Sequence, residues 1–287
     1  MYNPFFGLRE NPFNLSPDPS FLFRSPQHEE ALANLIYGVQ SRKGFIALTG
    51  EVGTGKTTLL ECLRDHLAGH NIAFAFLFNS QISRAEFFEM VAYDFALPGT
   101  KFTKTEVLFA LNNMLLERAR SGNTTALIID EAHNLEWDVL EEVRLLGNLE
   151  NRHGKLLQII LAGQPELDTK LDAPKFRQLK QRIALRCSLN PLTLEETISY
   201  IGYRLAHSGR PEQRIFSPQV IAQIHQDTGG IPRLINLVCD NALLVAFASS
   251  SQTVTSAMIA EVAKDLRLTP VATIPEPAEP EVGLLRG

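Results

Sequence analysis

Directly after an apolar run at residues 45–49, the chain carries Gly50-Glu51-Val52-Gly53-Thr54-Gly55-Lys56-Thr57, which fits the pattern G-x-x-x-x-G-K-[ST]. No other feature of the 287 residues restricts the fold as strongly. The glycines let the backbone curl so that successive amide N–H groups point inward, and the helix that follows presents its positive end to an anion. A strand, a loop and a helix are therefore required in that order, with a polyphosphate as ligand. The cradle runs from Gly50 to Thr58. Lys56 supplies a mobile cation for the β- and γ-phosphates, and Thr57 a hydroxyl for Mg²⁺. Chance occurrence of the pattern in such a chain is on the order of one in a hundred.

The rest of the first 190 residues fits that demand. Five runs read as buried strands: 45–49, 72–78, 125–129, 156–161 and 183–189. The first four are nearly continuous in aliphatic and aromatic residues, as parallel strands covered on both faces are. Between them, Ser83 with Glu86 and Thr103 with Glu106 have the spacing of a capping box, in which hydroxyl and carboxylate satisfy orphan amides reciprocally. Strand and helix thus alternate, which predicts a doubly wound α/β layer structure. After Pro191 the strand-like runs stop. Thr193 with Glu196, Ser217-Pro218 and the break at Gly229-Gly230 mark helices near 197–207, 218–228, 234–247 and 256–266, a small helical domain over 191–268. Residues 269–287, with four prolines and three glutamates, read as an extended, disordered tail.

A second motif follows from the first. Ala126-Leu127-Ile128-Ile129-Asp130-Glu131 ends an apolar strand in two carboxylates, at the sheet edge where α/β folds bind ligands. Asp130 is the expected Mg²⁺ ligand, through water, and Glu131 the residue that orients the attacking water. His133 reads either as a partner of Glu131 or as a polar helix start. Gln164, in Leu161-Ala162-Gly163-Gln164-Pro165, reads either as a γ-phosphate sensor or as an ordinary loop residue.

Composition excludes little beyond global disorder. The apolar share is 45% and the charged share 21%, and a net charge of −5 leaves partners open. The longest apolar runs, 72–78 and 242–248, have seven residues, against the roughly 20 of a membrane span. The N-terminus lacks the features of a secretory signal. Cys62, Cys187 and Cys239 are odd in number without metal-type spacing, and are expected as buried, reduced thiols in a cytoplasmic protein.

The segments PFFGL…NPF.LSPDP.FLF, LIIDEAHNL, LAGQPEL, LKQRIALRCSLNPL and TGGIPRLINLVCDNALL together resemble the AAA+ ATPase module of the general-secretion-pathway protein A family, over residues 1–268. The resemblance implies a P-loop fold with sheet order 5-1-4-3-2, a core over 1–190 and a helical lid over 191–268. ATP is the implied nucleotide, since the phosphate loop itself reads only phosphates. The resemblance also gives Arg233 as the lid arginine that reaches the γ-phosphate, and Arg182 as an arginine finger donated in trans, with Arg177 in reserve. A homo-oligomer is thereby implied. The segment around Phe21, Leu22, Phe23 and His28 lies where related modules cover the adenine, although core packing explains Phe21 and Phe23 equally well; the lone Trp137 reads as packing.

Family members continue into a membrane helix and a peptidoglycan-binding region. Ending in the Pro/Glu tail, this sequence is expected to be a soluble relative or a piece cut in the linker, cytoplasmic or peripheral at the inner membrane face through partners. Two functions fit: an ATPase of secretion or envelope assembly acting on a protein partner, and a DNA-associated AAA+ regulator. The second draws on the basic stretch Lys175, Arg177, Lys180, Arg182 and Arg186. Intact Lys56, Thr57, Asp130 and Glu131 disfavour a degenerate nucleotide sensor.

Overall fold

Strand β1, Phe45–Gly50, is buried at every position, and only a strand with neighbours on both edges and layers on both faces is covered in this way. A computed structural model of the chain describes residues 1–78, 81–99, 103–152, 154–209 and 215–268. In it β1 lies between β4 (Gln158–Gly163) and β5 (Ile183–Leu189) and pairs parallel with both. Beyond β4 come β3 (Thr125–Ile129) and the edge strand β2 (Ala73–Leu77), also parallel. The order β2-β3-β4-β1-β5 is the 5-1-4-3-2 arrangement implied by the resemblance, and the architecture is α/β.

Side chains alternate along each strand and divide between two cores. Leu127, Ile129, Ile159 and Leu161 join the core under α3 (Arg84–Asp94), α4 (Lys104–Arg120) and α5 (Trp137–Leu146). Ala126, Ile128, Ile160 and Ala162 face the other way, toward α1 (Pro26–Gln40) and α2 (Lys56–Gly69). This period of two on a doubly covered sheet makes the three layers. Ser83 and Thr103 each close the expected capping box at the start of α3 and α4. The helix-first residues of those two elements, Arg84 and Lys104, both bond the buried carboxylate of Glu142 on α5. One acid thereby gathers three helices on one face.

Strand limits differ from the sequence reading in three strands: β1 runs one residue further, to Gly50, and β4 ends at Gly163 rather than at Leu161. β2 excludes Ile72 and Phe78, and β4 starts at Gln158 rather than at Leu156. Gln158 is fully buried, its Oε1 accepting from Gly44 N–H at 2.8 Å and its Nε2 donating to Lys155 O at 3.0 Å. A polar residue opens a buried strand because its amide satisfies the backbone leading into β1. After β4 comes the short α6 (Glu166–Asp172).

Residues after 191 are helical: α7 (Leu194–His207), α8 (Pro218–Thr228), α9 (Pro232–Ala248) and α10 (Ser256–Asp265). α7 starts three residues before the expected point and α9 two before. Their core is separate from the two sheet cores, and it also takes in Tyr2, Phe6, Leu8 and Phe13. The N-terminal residues therefore pack with the helices at the far end of the chain. Tyr2 Oη donates to the carboxylate of Asp240, Asn11 Nδ2 donates to the same oxygen at 2.9 Å, and Arg9 N–H donates to Ser208 O at 2.9 Å. All three cysteines are free thiols, but Cys62 is half-buried where full burial was expected. Burial pushes the Cys187 thiol up to about 11. Among the described residues no helix is long and apolar enough to cross a membrane. The expected tail at 269–287 lies outside the described residues.

Replacing Gln158 by Leu keeps the volume but leaves the buried N–H of Gly44 without an acceptor, and the stability of the fold falls by about 1–3 kcal/mol. Urea unfolding measures the loss, and an unchanged midpoint would show that this amide is not needed.

Candidate nucleotide-binding site

At the end of β1 the chain turns through Gly53 (φ 84°) and Gly55 (φ 103°), a left-handed conformation that side chains resist. Thr54 Oγ1 donates to Glu51 O at 2.8 Å and closes the turn. Lys56, the first residue of α2, is buried, and its Nζ donates to the carbonyls of Gly50 at 2.7 Å and Glu51 at 2.9 Å. The cation is thus held across the loop. Burial pushes the Lys56 ammonium below its usual value, against the pull of Glu131, Asp130, Glu51 and Glu166.

The two expected metal ligands meet. Thr57 Oγ1 donates to Asp130 Oδ2 at 2.9 Å, across the strand β4 that separates β1 from β3. Asp130 Oδ1 accepts from Glu131 N–H at 2.9 Å. Burial pushes the Asp130 carboxyl up, and the bonds from Thr57 and from Glu131 N–H oppose that. A hydroxyl beside a carboxylate is an oxygen donor set of the kind Mg²⁺ takes, and so the residues present fit that ion. Glu131 is in the left-handed region (φ 52°), and its side chain reaches the same cleft as Lys56 and Thr57.

The opposite wall comes from the helical residues. Arg233 N–H donates to Gly53 O at 3.2 Å, and a Cβ on Gly53 would lie 2.7 Å from the Cβ of Arg233. Loop and helix start therefore approach backbone to backbone, which places exposed Arg233 on the rim. Residues 14–18 and the rings of Phe21 and Phe23 complete the cleft. Phe21 and Phe23 also pack on His207 and on Tyr200 and Tyr203, so each ring serves both readings made from the sequence.

His28 supports the loop from beneath. Its Nδ1 lies 2.7 Å from Ser25 Oγ and its Nε2 3.0 Å from Thr54 O. The carbonyl needs a donor, which puts the proton on Nε2 and makes Ser25 the donor to Nδ1. Gln164, Arg182 and Arg177 do not line the cleft. Gln164 N–H donates to His133 Nδ1 at 3.3 Å, and Arg182 Nη1 donates to Asn148 Oδ1 at 2.5 Å. Arg177 begins a short helix, Arg177–Lys180. Trp137 stacks on Phe176 at 5.0 Å, in line with packing.

Three residues of the cleft wall went unread in the sequence. Arg204 is buried on α7, and its Nε donates to Pro12 O at 2.5 Å, its Nη2 to Asn14 O at 3.1 Å, and its guanidinium lies 4.5 Å from the centroid of Phe21. Tyr200 Oη donates to Asn236 Oδ1 at 2.8 Å. An arginine on the apolar face marked by Tyr200, Ile201 and Leu205 was the available signal.

Residues 39–171 match the family model described as AAA domain. The chain carries an AAA domain. General secretion pathway protein A of Aeromonas hydrophila is 44% identical over 252 residues, 88% of this chain and 46% of that protein. The chain thus spans about half the length of that relative. Among solved structures, Cdc6p of Pyrobaculum aerophilum superposes with a TM-score of 0.73 at 19% identity, over 92% of this chain and 73% of that one. The ORC2 protein of Aeropyrum pernix, in its ADPNP-ADP complexes, gives a TM-score of 0.66 at 15% identity over the same shares. These two likenesses show the fold, an AAA+ P-loop architecture around the AAA domain, and the 44% identity relates the chain to the secretion protein.

Burial pushes His28 below its usual value, as it does His66 and His225. The unfolded chain takes up protons below about pH 6.5 while the folded imidazole stays neutral, so stability is full above that pH and falls below it. Urea midpoints measured from about pH 7.5 down to about pH 5.5 decline in the unaltered protein and decline less in His28→Gln.

Proposed function

We propose that the chain is a Mg²⁺-dependent ATPase that works as a homo-oligomer to assemble or remodel a partner complex of the secretion or envelope-assembly type. One observation carries the hydrolytic part of this reading. Lys56, Thr57 and Glu131 border one cleft, and the bond from Thr57 to Asp130 joins the two sequence motifs at its base. The loop from Gly50 to Thr58 binds the phosphates through its amides, and Lys56 exchanges its two carbonyl contacts for phosphate oxygens. Thr57 and Asp130 hold Mg²⁺, which supplies charge neutralisation on the phosphate oxygens when bound. Glu131 orients a water toward the γ-phosphorus. The new P–O bond forms as the bond to the ADP oxygen breaks, and the carboxylate takes the proton of the water. Arg233, on the rim from the same chain, senses the γ-phosphate, while Gln164, which lies just past β4 and outside the cleft, reports it only through its neighbours.

The core is taken as residues 1–190 and the lid as 191–268, with the first residues of the chain carried in the lid's hydrophobic core. Arg182 stands outside its own cleft, which agrees with donation to a neighbour's nucleotide, and an arginine in trans makes activity depend on assembly. The secretion reading draws on the relative's name, and the cytoplasmic location on the three free thiols. A DNA-bound regulator has less support, because two members of the basic stretch are paired. Lys180 bonds Asp172 at 2.8 Å and Arg186 bonds Asp168 at 2.6 Å.

Lys56→Ala is expected to abolish nucleotide binding in a fluorescent-nucleotide titration. Glu131→Gln keeps ATP bound but lowers phosphate release by about 100-fold or more. Unchanged release in both variants overturns the assignment. Strong, salt-sensitive stimulation of the unaltered protein by duplex DNA would replace the protein partner with DNA.

A further inference from the structure

His133 is not needed by the scheme above, yet it stands between two of its parts. It lies in the 3₁₀ turn Ala132–Asn134 that follows Glu131, nearly buried, with its ring against the end of β4. Its Nδ1 accepts from Gln164 N–H at 3.3 Å, and Oε2 of Glu131 lies 3.4 Å from the same nitrogen. A ring nitrogen carries either one in-plane lone pair or one hydrogen. With the lone pair on Nδ1, Gln164 is bonded and the carboxylate faces another acceptor. With the hydrogen on Nδ1, Glu131 is bonded and the amide of Gln164 loses its acceptor. The two partners therefore compete for one atom.

Three features hold the surroundings of that competition in place. Lys170 on α6 donates through Nζ to His133 O at 2.6 Å and to Leu135 O at 2.7 Å, which fixes the turn. Glu131 O accepts from Asn134 N–H at 2.9 Å, which fixes its backbone in the left-handed region. A Cβ on Gly163 would lie 3.2 Å from both the backbone nitrogen and Nδ1 of His133. Only a glycine there lets the ring rest on β4 without displacement.

We propose that His133 is a positioning residue whose Nδ1 passes between Gln164 N–H and the Glu131 carboxylate, so that the end of β4 sets whether Glu131 is held or released. The exchange is a tautomeric shift between Nδ1 and Nε2, with no net gain or loss of protons. It rests on the ATPase reading for its consequence, although the competition itself is independent of hydrolysis. Glu131 orients the water from a fixed backbone, so a wandering carboxylate lowers turnover and leaves nucleotide affinity alone.

The test has two arms. In His133→Ala, kcat for ATP is expected to fall by roughly 10- to 100-fold with KM and nucleotide Kd changed by less than about 2-fold, and His133→Asn, which retains a short polar end, recovers part of the loss. In ¹⁵N-histidine-labelled protein, the His133 ring, assigned by its absence in His133→Asn, shows the Nε2–H pattern, and its Nδ1 resonance moves in Glu131→Ala and in Gly163→Ala. Turnover in His133→Ala equal to that of the unaltered protein overturns the proposal, as does a His133 resonance that ignores both neighbours. If the unaltered protein hydrolyses no ATP, the ATPase reading fails, and the resonance arm still decides the proposal.

Discussion

The hydrogen bond from Thr57 to Asp130 joins residues 73 positions apart and exists only because of the sheet order. β1 and β3 are not neighbours: β4 runs between them, and both motifs must reach over its end. Register makes this possible. Thr49 of β1 pairs with Gly163 and Ile129 of β3 with Leu161, so both strands finish close to the end of β4. Parallel strands all end at one edge, and the layers of apolar residues on both faces hold those ends rigid. The chemistry at the edge therefore inherits its precision from the two cores beneath it.

Charge at that edge is arranged around burial. Lys56 and Asp130 are both taken out of water, and each is pushed toward its neutral form by that transfer. Their charged forms are kept by opposite charges and by hydrogen bonds from the loop itself. Burying a cation and an anion separately would cost more than their bonds return. Placed in one site with Glu131, they offset each other, and a polyphosphate with its cation has complementary groups on both sides.

Much of this was legible in the sequence, for a physical reason. The loop spacing, the apolar runs and the capping boxes are local signals, and local signals report strands, helices and the residues at their junctions. Gly50 to Thr58, Asp130 and Glu131 are such junction residues. What the sequence did not disclose depends on distant partners. Gln158 reads as a break in an apolar run until Gly44 is beside it, which is why β4 seemed to begin earlier. Arg204 reads as a charge on an apolar helix face until the carbonyls of Pro12 and Asn14 surround it. Tyr2 and Phe6 fall within the 1–190 core by chain order, but their partners lie on α7 to α9. Chain order assigned them to one unit and packing assigns them to the other.

That packing fixes how the helical residues and the sheet are joined. The chain passes from the helical core to the sheet core around Leu22–Pro26 and back again between Leu189 and Leu192. Gln27 links these passages, its Nε2 donating to Asn190 O at 3.1 Å and its Oε1 accepting from Asn190 N–H at 2.9 Å. Two crossings bonded to one another act as a single joint. Next to it, His28 bonds the loop carbonyl of Thr54, and further along the cleft Gly53 meets Arg233. Arg233 thus stands against the phosphate loop, while residues 14–18, held by Arg204 through Asn14 O, form the cleft's outer wall. The wall and the rim arginine come from the N-terminal segment and the helices after residue 191, the loop and the two carboxylates from the ends of the sheet strands, and the cleft lies between them.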